Sequence, residues 1–287
     1  MKTHFSNTAP RHVVLWQMLT AALFAFTLLT ASAQAGDRDK IQAFLNVTGF
    51  DVALDSITLS AKSAPTMLGM DPELFGADWT RLTEEVFDTD IMRTIALDIL
   101  EATLADDLLN HAVAFYASDL GQRLVVVENA SHMSADEEDK AQTGEDIIAG
   151  LAEDNPDRIA IFERMNLAID ASGTSLRALQ EIQIRFLLAA TAAGVIELRI
   201  DADELRAMIK SQEADIRIAL QKSALEGAAF TYQDFSNEDI EAYTVALEQT
   251  EMQQVYELLN AVQYEIMANR FEVLAGRMTE LGSGQDI

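Results

Sequence analysis

Cysteine is absent from the 287 residues of this chain. Disulfide bonds, thiolate metal ligands and cysteine nucleophiles are therefore excluded. An ordinary hydrophobic core must stabilise the fold instead, and the roughly 250 residues that follow residue 35 are enough to form one.

Basic residues are also scarce. The chain has 20 Lys and Arg against 47 Asp and Glu, so its formal net charge at pH 7 is −27. Such a chain repels phosphate backbones and anionic lipid headgroups. We therefore expect no nucleic-acid partner and no electrostatic docking on a membrane. Abundant surface acid keeps a helical protein in solution and does not favour any particular partner.

Proline is rare, and only Pro65, Pro72 and Pro156 lie beyond the first 35 residues. Long helices are therefore expected, because proline is the residue that most strongly interrupts them. The alternating pattern of a half-buried strand does not extend over a useful length, and residues 57–60 and 195–200 are too short to imply a sheet. The sequence predicts an all-α helical bundle.

Residues 1–35 have the pattern of a secretory signal peptide. Lys2 and Arg11 precede a nearly continuous apolar run over residues 13–31, and alanines follow at positions 31, 33 and 35. A basic start, an apolar core and a small-residue cleavage site direct export. We expect cleavage and a periplasmic or secreted protein. The alternative is an uncleaved anchor in the inner membrane, because about nineteen apolar residues can just span a bilayer.

The most informative stretch, residues 105–133, predicts two helices that meet at a tight corner. Apolar residues recur at three- and four-residue spacing on both sides of Ser118, which is typical of amphipathic helices. Asp106 or Asp107 is expected to cap the first helix. The hydroxyl of Ser118 is expected to cap the second.

The segment from Phe115 to Gln122 reads Phe-Tyr-Ala-Ser-Asp-Leu-Gly-Gln. It resembles the signature of the DUF2059 family, bacterial exported helical proteins of unassigned function. The resemblance implies an α-helical fold and supplies no catalytic residue. Gly121 permits close backbone packing at the bend, and Gln122 can bond the local backbone across it. We interpret the motif as structural, through Phe115, Tyr116, Ser118, Gly121 and Gln122.

A fainter copy of the corner recurs 132 residues later. The identical pairs are Asp107 and Asp239, Val113 and Val245, Ala114 and Ala246, and Gln122 and Gln254. The copy departs from the motif where Glu248 meets Tyr116 and Gln253 meets Gly121. We predict a tandem duplication, with helical repeat 1 over residues 36–170 and a degenerate repeat 2 over residues 171–287. The two repeats would pack as two bundles or as one intertwined bundle.

Other local signals mark the boundaries of helices. Asp71-Pro72, Asn155-Pro156 and the acidic run 136–139 are interpreted as helix starts, and Asp78 and Asp88 as caps. Gly49 is interpreted as a bend or a break, and residues 63–70 as a loop. The acidic run lacks the spaced oxygens and the turn glycine of a calcium loop.

The last long element, residues 237–278, is predicted to be helical with a corner near Thr250. Its apolar stripe consists of Met252, Val255, Leu259, Val262 and Ile266. Such a stripe predicts a face that packs on other helices of the core. An oligomer seam is the alternative, because apolar spacing alone does not distinguish the two.

No catalytic constellation accompanies these helices. The chain lacks a G-x-S-x-G elbow, a phosphate-binding glycine loop and a dinucleotide fingerprint, so their chemistries are not indicated. His111 and His132 could bind zinc with an acid such as Glu128, but they lack the paired spacing of a zinc site. We expect no catalytic residue, cofactor or metal. Tyr116 is either a binding-site hydroxyl or, more commonly, an interior aromatic whose oxygen bonds the backbone.

These features favour a non-enzymatic module that acts in protein interaction or envelope maintenance. Its partner would be another envelope protein or a second copy of the chain, and only an uncleaved N-terminal segment would contact the membrane. Two alternatives stay open. The helices could carry an apolar or lipid ligand between them, or two carboxylates facing a groove could hydrolyse a cell-wall polymer.

Overall fold

The computed structural model describes residues 37–70 and 76–281 of the chain. Within these two ranges every regular element is a helix and no strand occurs. The predicted all-α fold class is therefore confirmed. The predicted signal segment and the helix start predicted at Asp71-Pro72 lie outside the described residues.

The helices differ widely in length. Residues 37–48 form α1, and Gly49, in the left-handed conformation at φ +73°, separates it from α2 (Phe50–Ser60). The remaining helices are α3 (Ala64–Met67), α4 (Gly76–Val86), α5 (Thr89–Thr103), α6 (Asp106–Tyr116), α7 (Asp119–His132), α8 (Glu137–Asp154), α9 (Pro156–Ile169), α10 (Thr174–Ala192), α11 (Ala202–Ser211), α12 (Glu213–Thr231), α13 (Asn237–Leu247) and α14 (Thr250–Arg277). In the described ranges no helix is long and apolar enough to cross a membrane.

Several predicted helix starts are confirmed by side-chain caps. The carboxylates of Asp88 and Asp136 and the hydroxyl of Ser118 each accept the amide three residues on, at 2.9–3.1 Å. These bonds satisfy amides that have no partner within the helix. Asp201 starts α11 with a full capping box, in which Glu204 bonds back to the amide of Asp201.

Three predicted boundaries were wrong. Residues 63–70 contain α3 as well as a turn, because Pro65 occupies the first turn of a helix, where its missing N–H is not needed. Asp106 and Asp107 do not cap α6, since the cap position is the extended Ala105. Both aspartates lie in the first turn, where they face the positive end of the helix dipole. Asp78 likewise lies in the first turn of α4.

The long helix α14 packs against helices from both halves of the chain, including α4, α5, α6, α9 and α10. All five residues of its predicted stripe, from Met252 to Ile266, are buried. Farther along, Phe271 meets Phe87 and Phe186 edge to face, with ring centroids 5.5 and 5.1 Å apart. The stripe is therefore a core face within the chain.

The two predicted repeats share one core. A single cluster of buried side chains contains residues of α1 to α7 and α9 together with residues of α10 and α12 to α14, and partly buried residues of α8 pack against it. Within the described residues, one small second cluster, formed by Ile184, Leu205 and Ile209, lies apart from it between α10 and α11. A boundary near residue 170 therefore does not separate two hydrophobic cores.

The corner between α6 and α7 has a close backbone counterpart between α13 and α14. Ala117 (φ −77°, ψ −5°) and Ser118 correspond to Glu248 (φ −72°, ψ −10°) and Gln249. The matching backbone positions are separated by one residue fewer than the 132 residues that separate the sequence identities. The four identical pairs therefore do not occupy equivalent positions in the two corners. The tandem duplication stays a prediction.

Helices α8 and α12 approach each other closely at Gly144. A Cβ atom at this position would lie 2.3 Å from the carbonyl oxygen and 2.7 Å from the carbonyl carbon of Glu226. These are backbone atoms and have no room to move. On the same helix, a Cβ at the exposed Gly150 would have nothing within 4 Å.

This contrast predicts opposite effects of two alanine substitutions on one helix. Gly144→Ala should lower the free energy of unfolding by about 1–3 kcal/mol, because the added methyl overpacks the contact between α8 and α12. Gly150→Ala should raise it by about 0.5–1 kcal/mol, because alanine favours the helix over glycine. Urea unfolding followed by far-UV circular dichroism measures both. Equal shifts for the two variants would contradict the close approach.

Candidate functional site

A cavity of about 300 Å³ lies where α2, α7, α9, α12 and α14 converge. Its apolar lining includes Phe50, Met165, Ile169, Val255 and Leu259, and its polar lining includes Glu128, Asn129, His132, Lys140, Asn166, Asn260 and Gln263. Four of the five tyrosines of the chain, Tyr116, Tyr232, Tyr243 and Tyr256, also line it. The cavity thus combines an apolar surface with a concentrated set of polar groups.

The hydroxyls of three tyrosines form a closed triangle of hydrogen bonds. The oxygen of Tyr243 lies 3.0 Å from that of Tyr116 and 2.9 Å from that of Tyr256, and Tyr116 and Tyr256 also bond each other. A phenol has one hydrogen to donate and two lone pairs that accept. Each hydroxyl can therefore donate once within the triangle. The lone pairs that remain are free to accept hydrogen bonds from another group.

The fourth tyrosine binds a carboxylate. The hydroxyl of Tyr232 donates to Oε1 of Glu128 at 2.7 Å. Among the described residues that line the cavity, Glu128 is the only acid. Burial raises the pKa of Glu128, and hydrogen bonding from Tyr232 and Tyr243 opposes this only in part. Among the described residues no ion pair joins a basic side chain to Glu128, and Lys140, which lines the same cavity, pairs with Glu137 instead.

Packing and a buried arginine hold the tyrosine rings in place. Phe115 stacks on Tyr243 with ring centroids 5.6 Å apart, and it meets Tyr116 edge to face. The guanidinium of Arg158 donates to the carbonyl oxygen of Tyr232 at 2.7 Å. The same guanidinium lies 5.2 Å above the ring of Phe162. Such mutual restraint favours a pre-formed site.

The corner motif fixes the backbone of Tyr116. Gln122 donates from Nε2 to the carbonyl oxygen of Tyr116 at 2.6 Å, across the bend as predicted. A Cβ at Gly121 would lie 2.4 Å from the carbonyl oxygen of Phe115, so only glycine fits there. Together with the cap from Ser118, these contacts hold the start of α7 against the end of α6. Every motif residue thus supports the placement of one cavity-lining tyrosine.

Residues 90–149 match the DUF2059 family model, described as an uncharacterized protein conserved in bacteria. The suspected resemblance is therefore confirmed for this segment. No curated protein and no solved structure matches the chain. The DUF2059 segment runs from α5 into α8 and contains the corner. It contributes Tyr116, Glu128 and Lys140 to the cavity, whereas α12 to α14 and the loop after α12 contribute the other tyrosines.

The two histidines considered as zinc ligands differ in position. His132 lines the cavity, and His111 does not. Burial lowers the pKa of His132, and the positive charge of Lys140 lowers it further. The described residues contain no group of three or more histidines and acids placed to hold a metal ion.

The sequence alone pointed to Tyr116 but missed its partners. We expected its oxygen to bond the backbone or a ligand, and its partners are Tyr243 and Tyr256. Tyr243 lies on the buried face of α13, and Tyr256 directly follows the stripe residue Val255. A scan for polar aromatics beside apolar stripes would have found both.

The buried phenols predict how the protein responds to alkali. Burial raises the pKa values of Tyr116, Tyr232 and Tyr243 well above their usual value of about 10, and that of Tyr256 in the same direction. Above pH 10 the unfolded chain therefore releases protons that the folded chain keeps, so stability falls as the pH rises. Phenolate absorbance and the loss of helical circular dichroism should appear together.

The peripheral tyrosine supplies the control. Tyr264 donates to Ser175 at 2.9 Å and has no part in the triangle, so Tyr264→Phe should leave the coincidence of the two signals intact. If most phenolate forms near pH 10 while the helical signal is unchanged, the tyrosine cluster is not buried as described.

Proposed function

We propose that the protein is an exported, non-enzymatic helical module that binds a small amphipathic molecule in the tyrosine-lined cavity. The observation that carries this proposal is the cavity itself. Its volume of about 300 Å³ lies at the lower end of the range of small-molecule sites, and an apolar lining with a few fixed polar groups is typical of them. We propose that binding links the module to another envelope protein or to a second copy of itself.

Export is supported by the signal-peptide pattern of residues 1–35 and by the resemblance of the corner to exported proteins. The large excess of acid suits a protein that stays in solution after export. The alternative localisation, an anchor formed by residues 13–31, would present the same cavity at the surface of the inner membrane.

The lining weighs against the two other functions considered for this chain. Glycoside hydrolysis needs a pair of carboxylates around the scissile bond, and Glu128 is the only acid among the described residues of the lining. A lipid carrier needs a long apolar channel, whereas this cavity is small and carries carboxamides and hydroxyls on its walls. A small molecule with both polar and apolar parts fits better than a polysaccharide or a lipid chain.

Gly227 on α12 offers a direct test. It lines the cavity, and a Cβ at this position would meet nothing within 4 Å. The backbone therefore accepts a side chain here, and Gly227→Leu should fill part of the cavity. Gly150→Leu is the matched control, because it is also a helical glycine with open space around it and lies outside the lining.

The readout is native mass spectrometry of protein purified gently from the exporting cell. We expect a small-molecule adduct on the wild-type protein and on Gly150→Leu, and its loss in Gly227→Leu. Both substitutions should raise helix propensity by similar amounts, so a difference in folding would not explain the result. An adduct that persists in Gly227→Leu would contradict binding in this cavity.

A further inference from the structure

The chemistry of the cavity also indicates which class of molecule it takes, an inference that rests on the proposed function. Glu128 has no basic partner within the described part of the chain, although two basic residues line the same space. Lys140 donates to the carbonyl oxygen of Ser131 at 3.3 Å and pairs with Glu137 at 3.8 Å. Burial and the charge of Lys140 both lower the pKa of His132, which disfavours its charged form.

The hydroxyls beside Glu128 have no hydrogens left for a ligand. Tyr232 donates its hydrogen to the carboxylate, Tyr116 and Tyr256 can donate theirs within the triangle, and Tyr243 can donate to the triangle or to the carboxylate. What these four groups and Glu128 still present is lone pairs, and no counter-charge faces the carboxylate. At this end of the cavity, a carboxylate or phosphate ligand would therefore meet acceptors rather than donors.

An organic cation would supply what the cavity lacks. A buried carboxylate without a counter-charge is unfavourable, and a hydrogen-bonded cation relieves that penalty. Aromatic rings attract cations as well. The net charge of −27 raises the local concentration of cations around the protein.

We propose that the cavity binds a small alkylammonium compound, whose N–H groups bond Glu128 and the lone pairs of the tyrosine hydroxyls. Its apolar body would lie against Met165, Ile169 and Leu259, which line the same cavity. The N–H groups distinguish this class from quaternary ammonium compounds, which offer charge without donors.

Four probes of similar size separate the relevant properties. Butylammonium carries charge and donors, tetramethylammonium carries charge alone, butanol is neutral, and butyrate is an anion. Binding is followed by NMR of methionine methyl groups in the full chain after dialysis. Met165 reports on the cavity, and Met208, exposed on α11, reports on non-specific effects.

We expect butylammonium to shift the signal of Met165 but not that of Met208, with at least about tenfold tighter binding than the other three probes. Glu128→Gln should weaken butylammonium binding at least about tenfold and leave butanol unchanged, because only the charge is removed. The amide oxygen of Gln can still accept from Tyr232, so the fold should persist. Glu257→Gln, an exposed acid on α14 outside the lining, is the control and should change neither.

The outcomes separate this inference from the proposed function. If butanol or butyrate shifts Met165 as strongly as butylammonium, or if Glu128→Gln binds butylammonium normally, the cavity binds a ligand but does not recognise its positive charge, and the inference is wrong. If no probe binds while the wild-type protein still carries an adduct that Gly227→Leu lacks, the alkylammonium class is wrong and the cavity is retained. If there is neither an adduct nor a binding probe, the proposed function fails as well.

Discussion

Burial of one continuous apolar face of α14 is the constraint on which the rest of the structure depends. The face runs from Met252 to Ala275 and is covered by helices from both halves of the chain. Each large apolar side chain that is fully buried contributes about 1.5–3 kcal/mol, so this face is a major source of stability in a chain without disulfides. Because both halves share it, neither has a complete core of its own.

The polar cluster lies directly beside that apolar face. Val255 is buried in the core, and the adjacent Tyr256 turns its hydroxyl toward Tyr116 and Tyr243. Buried hydroxyls are unfavourable unless they are paired, and pairing three of them with one another satisfies their hydrogens without using the backbone. A helical bundle can therefore hold several polar groups at one point of its interior, provided that the rings around them are closely packed.

Sequence reasoning succeeded where the determining interaction is local. The caps at Asp88, Ser118 and Asp136 each join residues three apart, so the local sequence contains the whole interaction. The apolar stripe of α14 is equally visible, because its period follows from helix geometry. Asp106 was misplaced since a first-turn acid and a capping acid look alike in sequence.

The cavity could not be predicted in the same way. Tyr116 and its hydroxyl partners are more than a hundred residues apart in the chain, and no local pattern fixes their distance. The sequence suggested a relationship between the two corners. However, its identities occur at a spacing of 132, one residue more than the spacing at which the backbones of the two corners match. Glu128 drew notice only as a candidate zinc ligand. Its unpaired state depends on where every lysine and arginine lies after folding.

The division of the cavity between the two halves bears on what the DUF2059 segment does by itself. Residues 90–149 supply Tyr116 and Glu128, and the corner motif within them fixes the backbone of Tyr116. The hydroxyl partners of Tyr116 and the tyrosine that binds Glu128 lie beyond residue 230. Without α12 to α14 and the loop after α12, Tyr116 would lose the hydroxyl partners described above, and Glu128 would lose the tyrosine hydroxyls that bond it. The segment therefore provides only part of the cluster of tyrosines and carboxylate, and the chemistry of the cavity is a property of the whole bundle.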